Sequence, residues 1–308
     1  MSDKAKSRRV SLYAAKRKTG KLGWAFIRAI FILGFSFAIV YPLLNMITRA
    51  FMEPQDLYDS SVLWIPAHFT LVNFKIAIEG LQYGRAMFNS VWSAGLATLL
   101  QATSCVLAGY ALARYDFPFK KLAFGLVIFT LIVPPQLTMI SSYVYFNNLK
   151  MVGTEWPIIL MAGTGTGIRA GLFIYMIRQS FKSFPRETEE AAMVDGAGHF
   201  RTFFSIMLPG ALTVMVTVVL FSFVWYWNDV FYVNLYNRDF WSLSNCIDMA
   251  KYLFTSYPEF QGFSEFDPVI SKNLRSVAAI LIIGPLVILF LVLQRYFVES
   301  VERSGVVG

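Results

Sequence analysis

Residues 181–209 read FKSFPRETEEAAMVDGAGHFRTFFSIMLP, a polar stretch with a helical pattern between two apolar runs. It carries charges of both signs. A charged segment between two membrane spans cannot lie in the hydrocarbon, where each unpaired charge is costly. We therefore predict that the stretch is presented at the membrane surface, where a partner can contact it.

The pattern within this stretch predicts two short helices joined at a glycine. Ser183 is expected to cap the first helix, and glutamates follow in its first turns, where they complement the helix dipole. Arg186 and Glu190 are four residues apart and can pair. Gly196 is expected to end this helix in a left-handed conformation. A second amphipathic helix is predicted over His199–Met207.

The composition predicts a membrane protein. Of the 308 residues, 56% are hydrophobic and 15% are charged, and the mean hydropathy is +0.54. A soluble domain carries about a quarter charged residues, so a soluble α/β protein is excluded. We expect an all-α polytopic membrane protein with a single membrane domain.

Charge and side-chain chemistry argue against a nucleic-acid-binding protein, a metal-binding protein and a membrane enzyme. The net charge is +8, but the excess lies in the first 21 residues and in predicted inner loops, so membrane orientation explains it and no nucleic-acid partner is expected. Two cysteines and two histidines are scattered without metal-ligand spacing, so neither a disulfide nor a metal site is predicted. A membrane enzyme would need a cluster of His, Asp or Glu residues in or near its spans, and the sequence shows no such cluster.

Six apolar runs are long enough to span a bilayer. They cover 29–47, 87–113, 122–149, 156–177, 209–233 and 276–294. With both termini inside, inner segments hold 18 Lys and Arg residues and outer segments hold 8, a bias that supports this orientation. The predicted organisation has three parts: a basic inner tail over 1–23, a membrane domain over 24–294 and a second inner tail over 295–308. Within the membrane domain, an inner loop covers 178–208 and an external segment covers 234–273.

Three features of the chain depart from plain spans. The basic tail is either a lipid-binding amphipathic helix or a solvated segment. Pro134 and Pro135 break the third run, which makes either a structural kink or a gate. Arg169 lies in the glycine-rich fourth run and either pairs with a neighbouring helix or contacts a ligand, where it would suit an anionic sugar.

An aromatic and polar cluster ends the fifth run. Interfacial aromatics are one explanation, and a sugar-binding surface of ring faces and polar groups is the other. The candidate substrate-path residues are Arg169, Tyr175, Trp225, Tyr226, Trp227, Asn228 and Asp229.

The central stretch resembles a known family. Glu190-Ala191-Ala192, three further residues, Gly196 and then Ile206-Met207-Leu208-Pro209 resemble the EAA loop of permeases in binding-protein-dependent ABC importers. Trp227-Asn228-Asp229 and the tail 294–299 resemble the carbohydrate branch, and the second permease subunit of maltose-type importers is the nearest pattern. The resemblance covers about residues 85–300.

The resemblance implies a function and a set of partners. It implies the type I ABC importer permease fold in a bacterial cell membrane, a homologous second permease, two ATPase subunits and an extracytoplasmic binding protein that delivers a carbohydrate. This chain would bind no cofactor itself, and ATP and magnesium would belong to the ATPase subunits. The residues that would couple to the ATPase are Glu190, Ala191, Ala192, Asp195 and Gly196.

Two other functions stay open on the sequence alone. An ABC permease for a non-sugar solute would share the loop but not the Trp-Asn-Asp piece. A secondary transporter would need ion-coordinating groups in its spans and no ATPase-docking loop.

Overall fold

The chain forms an all-helical bundle. The computed structural model describes residues 3–264 and 267–305, with the side chains of 24–264, 267–292 and 294. The helices are α1 Asp3–Ala50, α2 Pro54–Tyr58, α3 Val72–Gly80, α4 Tyr83–Arg114, α5 Lys120–Ile132, α6 Pro135–Asn148, α7 Trp156–Gly163, α8 Ala170–Ser183, α9 Arg186–Val194, α10 His199–Gly210, α11 Leu212–Trp227, α12 Phe231–Tyr236 and α13 Pro268–Gly305. Within the described part of the chain, the only β pairing is an isolated bridge between Met52 and Phe69.

Three helical segments are long and apolar enough to cross a membrane. They are Trp24–Ala50 in α1, Tyr83–Arg114 and Pro268–Val292. Two bent helix pairs, α5 with α6 and α10 with α11, raise the number to five if each pair is one span. The all-α membrane architecture is confirmed, whereas the predicted count of six is matched only in part.

The third predicted span is two helices at a steep angle. The axes of α5 and α6 meet at 106°. Val133 and Pro134 between them have extended backbones. Each of these residues precedes a proline, whose ring disfavours a helical conformation in the residue before it. The double proline therefore produces a sharper bend than the kink that was expected.

The fourth predicted span is also divided. α7 ends at Gly163, α8 begins at Ala170, and the six residues between them are not helical. Arg169 caps α8 with a left-handed backbone, at φ 56°. Glycine adopts the backbone conformations that such a break requires at little steric cost. The presence of several glycines in this run did not, however, predict where the break lies.

Helix α4 is the centre of the packing. It contacts α7, α8 and α11, and its small residues allow these helices to come close. At Gly109 an added Cβ would lie 2.6 Å from the side chain of Ile177 on α8, so only glycine fits this crossing. The C-terminal half of α4 is thereby fixed against α8, which leads into the central stretch.

The predicted external segment 234–273 folds back over the helix ends. It begins within α12 and contains short 3₁₀ turns at Met249–Tyr252, Phe254–Ser256 and Pro258–Phe260. Ala250 packs so closely on α3 that a Cβ on Gly80 would overlap its backbone. The predicted tails are helical continuations: α1 begins at Asp3, and α13 extends to Gly305. The side chains of 1–23 and of 295–308 lie outside the described residues.

Candidate functional site

The first candidate site is the pair of short helices that we name the elbow, α9 and α10 with residues 195–198 between them. α9 begins after Pro185, whose extended backbone caps the helix. The prediction of Ser183 as the cap was wrong, because Ser183 is the last residue of α8 and its hydroxyl donates to the Ser180 carbonyl at 2.7 Å. Phe184 and Pro185 thus separate the membrane helix from the elbow.

The end of α9 is fixed by a glycine turn. Gly196 has φ 82°, and its N–H donates to the Met193 carbonyl at 3.0 Å. The N–H of Ala197 donates to the Ala192 carbonyl at 2.9 Å. These two bonds form a Schellman motif, in which a left-handed residue reverses the chain after a helix. The predicted role of Gly196 as the stop between two helices is confirmed.

The second helix of the elbow is anchored in the protein interior. Phe203 and Met207 of α10 are buried. The Phe203 ring lies 4.7 Å from the Tyr110 ring of α4, and Tyr110 also lies 5.1 Å from Phe181 of α8. Three helices therefore share one aromatic cluster, so α10 is held against the C-terminal ends of α4 and α8.

An ion pair holds the first helix of the elbow to α4. Arg114 Nε lies 3.1 Å from Glu189 Oε1, and both side chains are nearly buried. The Nη2 group of Arg114 also donates to the Phe184 carbonyl at 2.9 Å. Neither Arg114 Nε nor Glu189 Oε1 is aligned for a hydrogen bond, so their contact is Coulombic. The expected pair of Arg186 with Glu190 is not among the ion pairs of the described side chains, and Glu189 carries the pairing instead.

The remaining face of the elbow is open. Glu190, Ala191 and Asp195 are exposed, whereas Ala192 is buried against the protein. Val194 and Phe200, on either side of the glycine turn, are 87% and 82% exposed. A small apolar tip beside a carboxylate is suited to contact with another protein.

The substrate-path residues divide into an inward and an outward group. Tyr226 and Trp227 are buried; the Tyr226 hydroxyl donates to Gln101 of α4, and Trp227 Nε1 donates to the Ile282 carbonyl of α13 at 3.2 Å. Asp229 accepts the Tyr232 N–H at 3.2 Å, a local bond at the start of α12. Tyr226 and Trp227 therefore hold helices together.

The outward group has one member, Arg169, at the break between α7 and α8. Arg169 is exposed, and its guanidinium carbon lies 5.9 Å from the centre of the Trp225 ring. Tyr175 is partly exposed and stacks on Phe124 at 6.4 Å. Asn228 is exposed and its amide donates to the Val224 carbonyl. Arg169 and Trp225 are therefore brought together, and Tyr175 lies beside a different helix.

Sequence reasoning missed two groups of residues. Gln101 and Ser104 of α4 bind the broken backbone of the fourth span, and a buried amide within an otherwise apolar run was the available signal. The second group lines a cavity of about 670 Å³ between the external segment and the start of α13. Its lining residues are Lys251, Tyr252, Pro268, Ser271, Lys272, Arg275 and Ser276.

Comparison with known proteins identifies the family. Residues 105–303 match the model of the binding-protein-dependent transport system inner membrane component. The chain belongs to this family. The match spans the elbow, the broken span and the external segment, so these features are parts of a transport permease embedded in a membrane.

Curated relatives of the permease are similar over most of their length. It is 30% identical over 305 residues to the arabinooligosaccharides transport system permease protein of Halalkalibacterium halodurans, covering 95% of this chain and 100% of the relative. It is 31% identical to the melibiose/raffinose/stachyose import permease protein of Bacillus subtilis, covering 81% and 86%. It is 29% identical to the maltodextrin transport system permease protein of Streptococcus pneumoniae, covering 90% and 93%.

A solved structure shares the fold of the permease. A chain in the crystal structure of a bacterial ABC transporter involved in the import of the acidic polysaccharide alginate superposes with a TM-score of 0.71. The superposition covers 89% of this permease and 96% of that chain, at 18% identity. The predicted importer permease fold is thereby confirmed.

Proposed function

We propose that this chain is the membrane permease subunit of an ATP-driven importer that moves oligosaccharides delivered by a binding protein. The names of the relatives support the substrate class, since arabinooligosaccharides, the raffinose group and maltodextrins are all oligosaccharides. The observation that carries the coupling role is the attachment of the elbow to α4 and α8, with its outer face left open.

The elbow would couple ATP hydrolysis to movement of the membrane helices. A partner that pushes on the exposed face meets a rigid unit, because Phe203 and Glu189 tie both helices to the inner end of α4. Glu190, Ala191 and Asp195 would contact the ATPase, while Ala192 and Gly196 set the shape of the contact surface. The ATPase subunits would hold ATP and magnesium, and this chain would bind no cofactor.

The proposed arrangement has six spans, with both termini and the elbow inside the cell. The excess of Lys and Arg in the inner segments supports it. The fourth span would then be α7 and α8 together, although a non-helical segment divides them. A homologous permease would supply the other half of the translocation path, with Pro134 and Pro135 as candidate gate residues. Arg169, Tyr175 and Asn228 are the exposed candidates for contact with the substrate, and Trp225 is half-buried beside Arg169.

Purification of the intact complex tests this function. A tag on this chain should recover a second permease, ATPase subunits and a binding protein. In proteoliposomes, an oligosaccharide loaded on that binding protein should stimulate ATP hydrolysis and enter the vesicle. Stimulation only by a non-sugar solute would contradict the substrate class; a 30% identical relative in Synechocystis is an osmoprotective compounds uptake permease, which makes such solutes a useful comparison. Uptake driven by a proton or sodium gradient without ATP would contradict the importer class.

A further inference from the structure

The break in the fourth span is a defined structure. Thr164, Gly165 and Thr166 close α7 with a second Schellman motif: the Thr166 N–H donates to the Met161 carbonyl at 3.0 Å, and the Gly165 N–H to the Ala162 carbonyl at 3.3 Å. Gly165 has φ 72°, which favours glycine. The polar backbone groups at this helix end are thus satisfied inside the protein, as a membrane requires.

Polar side chains from two other helices hold the break in place. Gln101 Nε2 donates to the Ile168 carbonyl at 2.7 Å, and Ser104 Oγ donates to the Ala162 carbonyl at 2.8 Å. The Tyr226 hydroxyl of α11 completes the network by donating to Gln101 Oε1. A Cβ on Gly167 would lie 2.3 Å from both Gln101 Oε1 and the Tyr226 oxygen. We name Gln101, Ser104, Tyr226 and Gly167 the brace.

The break itself carries exposed polar residues. Thr164, Thr166 and Arg169 are exposed there, and the two threonine hydroxyls lie 3.0 Å apart. Arg169 has no carboxylate within 4.0 Å among the described side chains. An unpaired guanidinium within a span is costly in lipid, so Arg169 faces water, a ligand or another chain. The guanidinium lies over the half-buried Trp225 ring, at 5.9 Å from the ring centre.

We propose that this surface binds an acidic sugar residue of the transported oligosaccharide. The Arg169 guanidinium pairs with the sugar carboxylate, for which its planar fork is suited. Thr164 and Thr166 bind the sugar hydroxyls, and the half-buried Trp225 ring, over which the guanidinium lies, supports Arg169 from the protein side. This inference rests on the proposed carbohydrate function and narrows its substrate to a uronate-containing oligosaccharide.

The cavity at the external segment is also lined by cationic and aromatic side chains. Lys251, Lys272 and Arg275 line it together with the exposed Tyr252. Arg275 pairs with Asp248, but Lys251 and Lys272 have no carboxylate within 4.0 Å among the described side chains. A cationic and aromatic surface near the start of α13 would attract an anionic saccharide before it reaches the break.

Ligand binding to the complete transporter tests the acidic-sugar site directly. The complex in nanodiscs, without binding protein, is mixed with a uronic-acid trisaccharide or with the neutral trisaccharide made by reducing its carboxylates. Saturation-transfer NMR then measures binding of each sugar. The wild type should bind the acidic sugar more tightly, and Arg169→Gln should weaken that binding about tenfold while leaving the neutral sugar unchanged, since one charge-assisted contact is lost.

Two control variants and an ATPase measurement distinguish failure of the acidic-sugar site from failure of the proposed carbohydrate function. Arg169→Lys should retain part of the acidic preference, and Lys182→Gln, which removes an exposed cation at the end of α8, should retain all of it. Equal binding of both sugars by the wild type, or acidic binding unaffected by Arg169→Gln, would overturn the proposed site. If oligosaccharide-loaded binding protein still stimulates ATP hydrolysis in that case, the carbohydrate function stands; if no oligosaccharide does so, both proposals fail.

Discussion

Arg114, the last residue of α4, lies 3.1 Å from Glu189 in the first turns of α9, and their side chains are only 6% and 13% exposed. The same guanidinium binds the carbonyl of Phe184, in the link between α8 and α9. One side chain therefore fixes a membrane helix, the link and the elbow relative to each other. Movement of α9 without movement of α4 would leave a nearly buried charge unpaired.

Removal of this ion pair is predicted to uncouple the transporter. Arg114→Ala leaves the Glu189 carboxylate nearly buried without a partner, which typically costs about 3–5 kcal/mol. We expect α9 to detach locally, so that uptake falls at least tenfold while the complex still hydrolyses ATP. Arg186 is an exposed arginine on α9, the helix that carries Glu189. The Arg186→Ala variant is therefore the control and should transport normally. Full uptake by Arg114→Ala would show that the ion pair does not transmit force.

The glycine turn offers a matched pair of substitutions. Gly196→Ala places a Cβ on a residue at φ 82°, where a non-glycine residue costs about 1–2 kcal/mol. Gly198→Ala is the control, because Gly198 has φ –70° and open space around it. We predict lower transport and faster proteolysis of the elbow only for Gly196→Ala. Equal behaviour of the two variants would argue against a strained turn.

The brace can be tested by a similar comparison. Gly167→Ala would force a Cβ to within 2.3 Å of Gln101 and Tyr226, and overpacking of this kind costs about 1–3 kcal/mol. Gly163→Ala meets Leu100 only at 4.0 Å and should be tolerated. We predict that thermal stability in detergent falls for Gly167→Ala alone. A stable Gly167→Ala complex with normal uptake would show that the break tolerates rearrangement.

A pH effect is predicted at the link between α2 and α3. Asp56 is buried, and His68 Nδ1 lies 2.9 Å from Asp56 Oδ1. The hydrogen bond to Asp56 raises the pKa of His68, and their charge attraction raises it further. Burial opposes ionisation of Asp56, but the hydrogen bonds from His68 outweigh it and lower the pKa of this carboxyl.

The signs of these shifts define the pH window. Because the pKa of His68 is raised on folding, its stabilising contribution is complete below the unfolded value of about 6.5 and is lost as the pH rises through the folded value. The Asp56 contribution is present above about pH 3.9 and is lost as the pH falls through its lowered pKa. After correction for the intrinsic exchange rate at each pH, the backbone amides of residues 52–70 should therefore be more protected from hydrogen exchange at pH 6 than at pH 8. His68→Gln should remove this difference, whereas His199→Gln should preserve it.

Local sequence patterns predicted the elbow well, because its shape depends on short-range rules. A left-handed glycine after an amphipathic helix is specified by the residues of that helix, and Gly196 behaves accordingly. The choice of Glu189 rather than Glu190 as the paired carboxylate was not predictable. It depends on where the end of α4 lies relative to α9, which is a tertiary relationship.

The breaks between the helices were predicted less well, because their details also depend on tertiary contacts. Pro134 and Pro135 indicated a bend, but the sequence pattern gives no value for its angle, which is 106°. The break before Arg169 requires Gln101 and Tyr226, which lie 67 and 125 residues away from their partners in sequence. Likewise, periodicity could not distinguish the exposed Arg169 surface from the buried Tyr226 and Trp227.

Side-by-side measurement of oligosaccharide uptake and ATP hydrolysis by the Glu190→Lys complex in proteoliposomes tests the coupling role of the elbow most directly. Glu190 and Glu187 are both exposed on α9, so Glu187→Lys is a control with the same change of charge. We predict that Glu190→Lys assembles and hydrolyses ATP but loses at least nine-tenths of uptake, while Glu187→Lys retains both activities. Wild-type uptake by the Glu190→Lys complex would contradict the proposal that this chain is driven through the elbow.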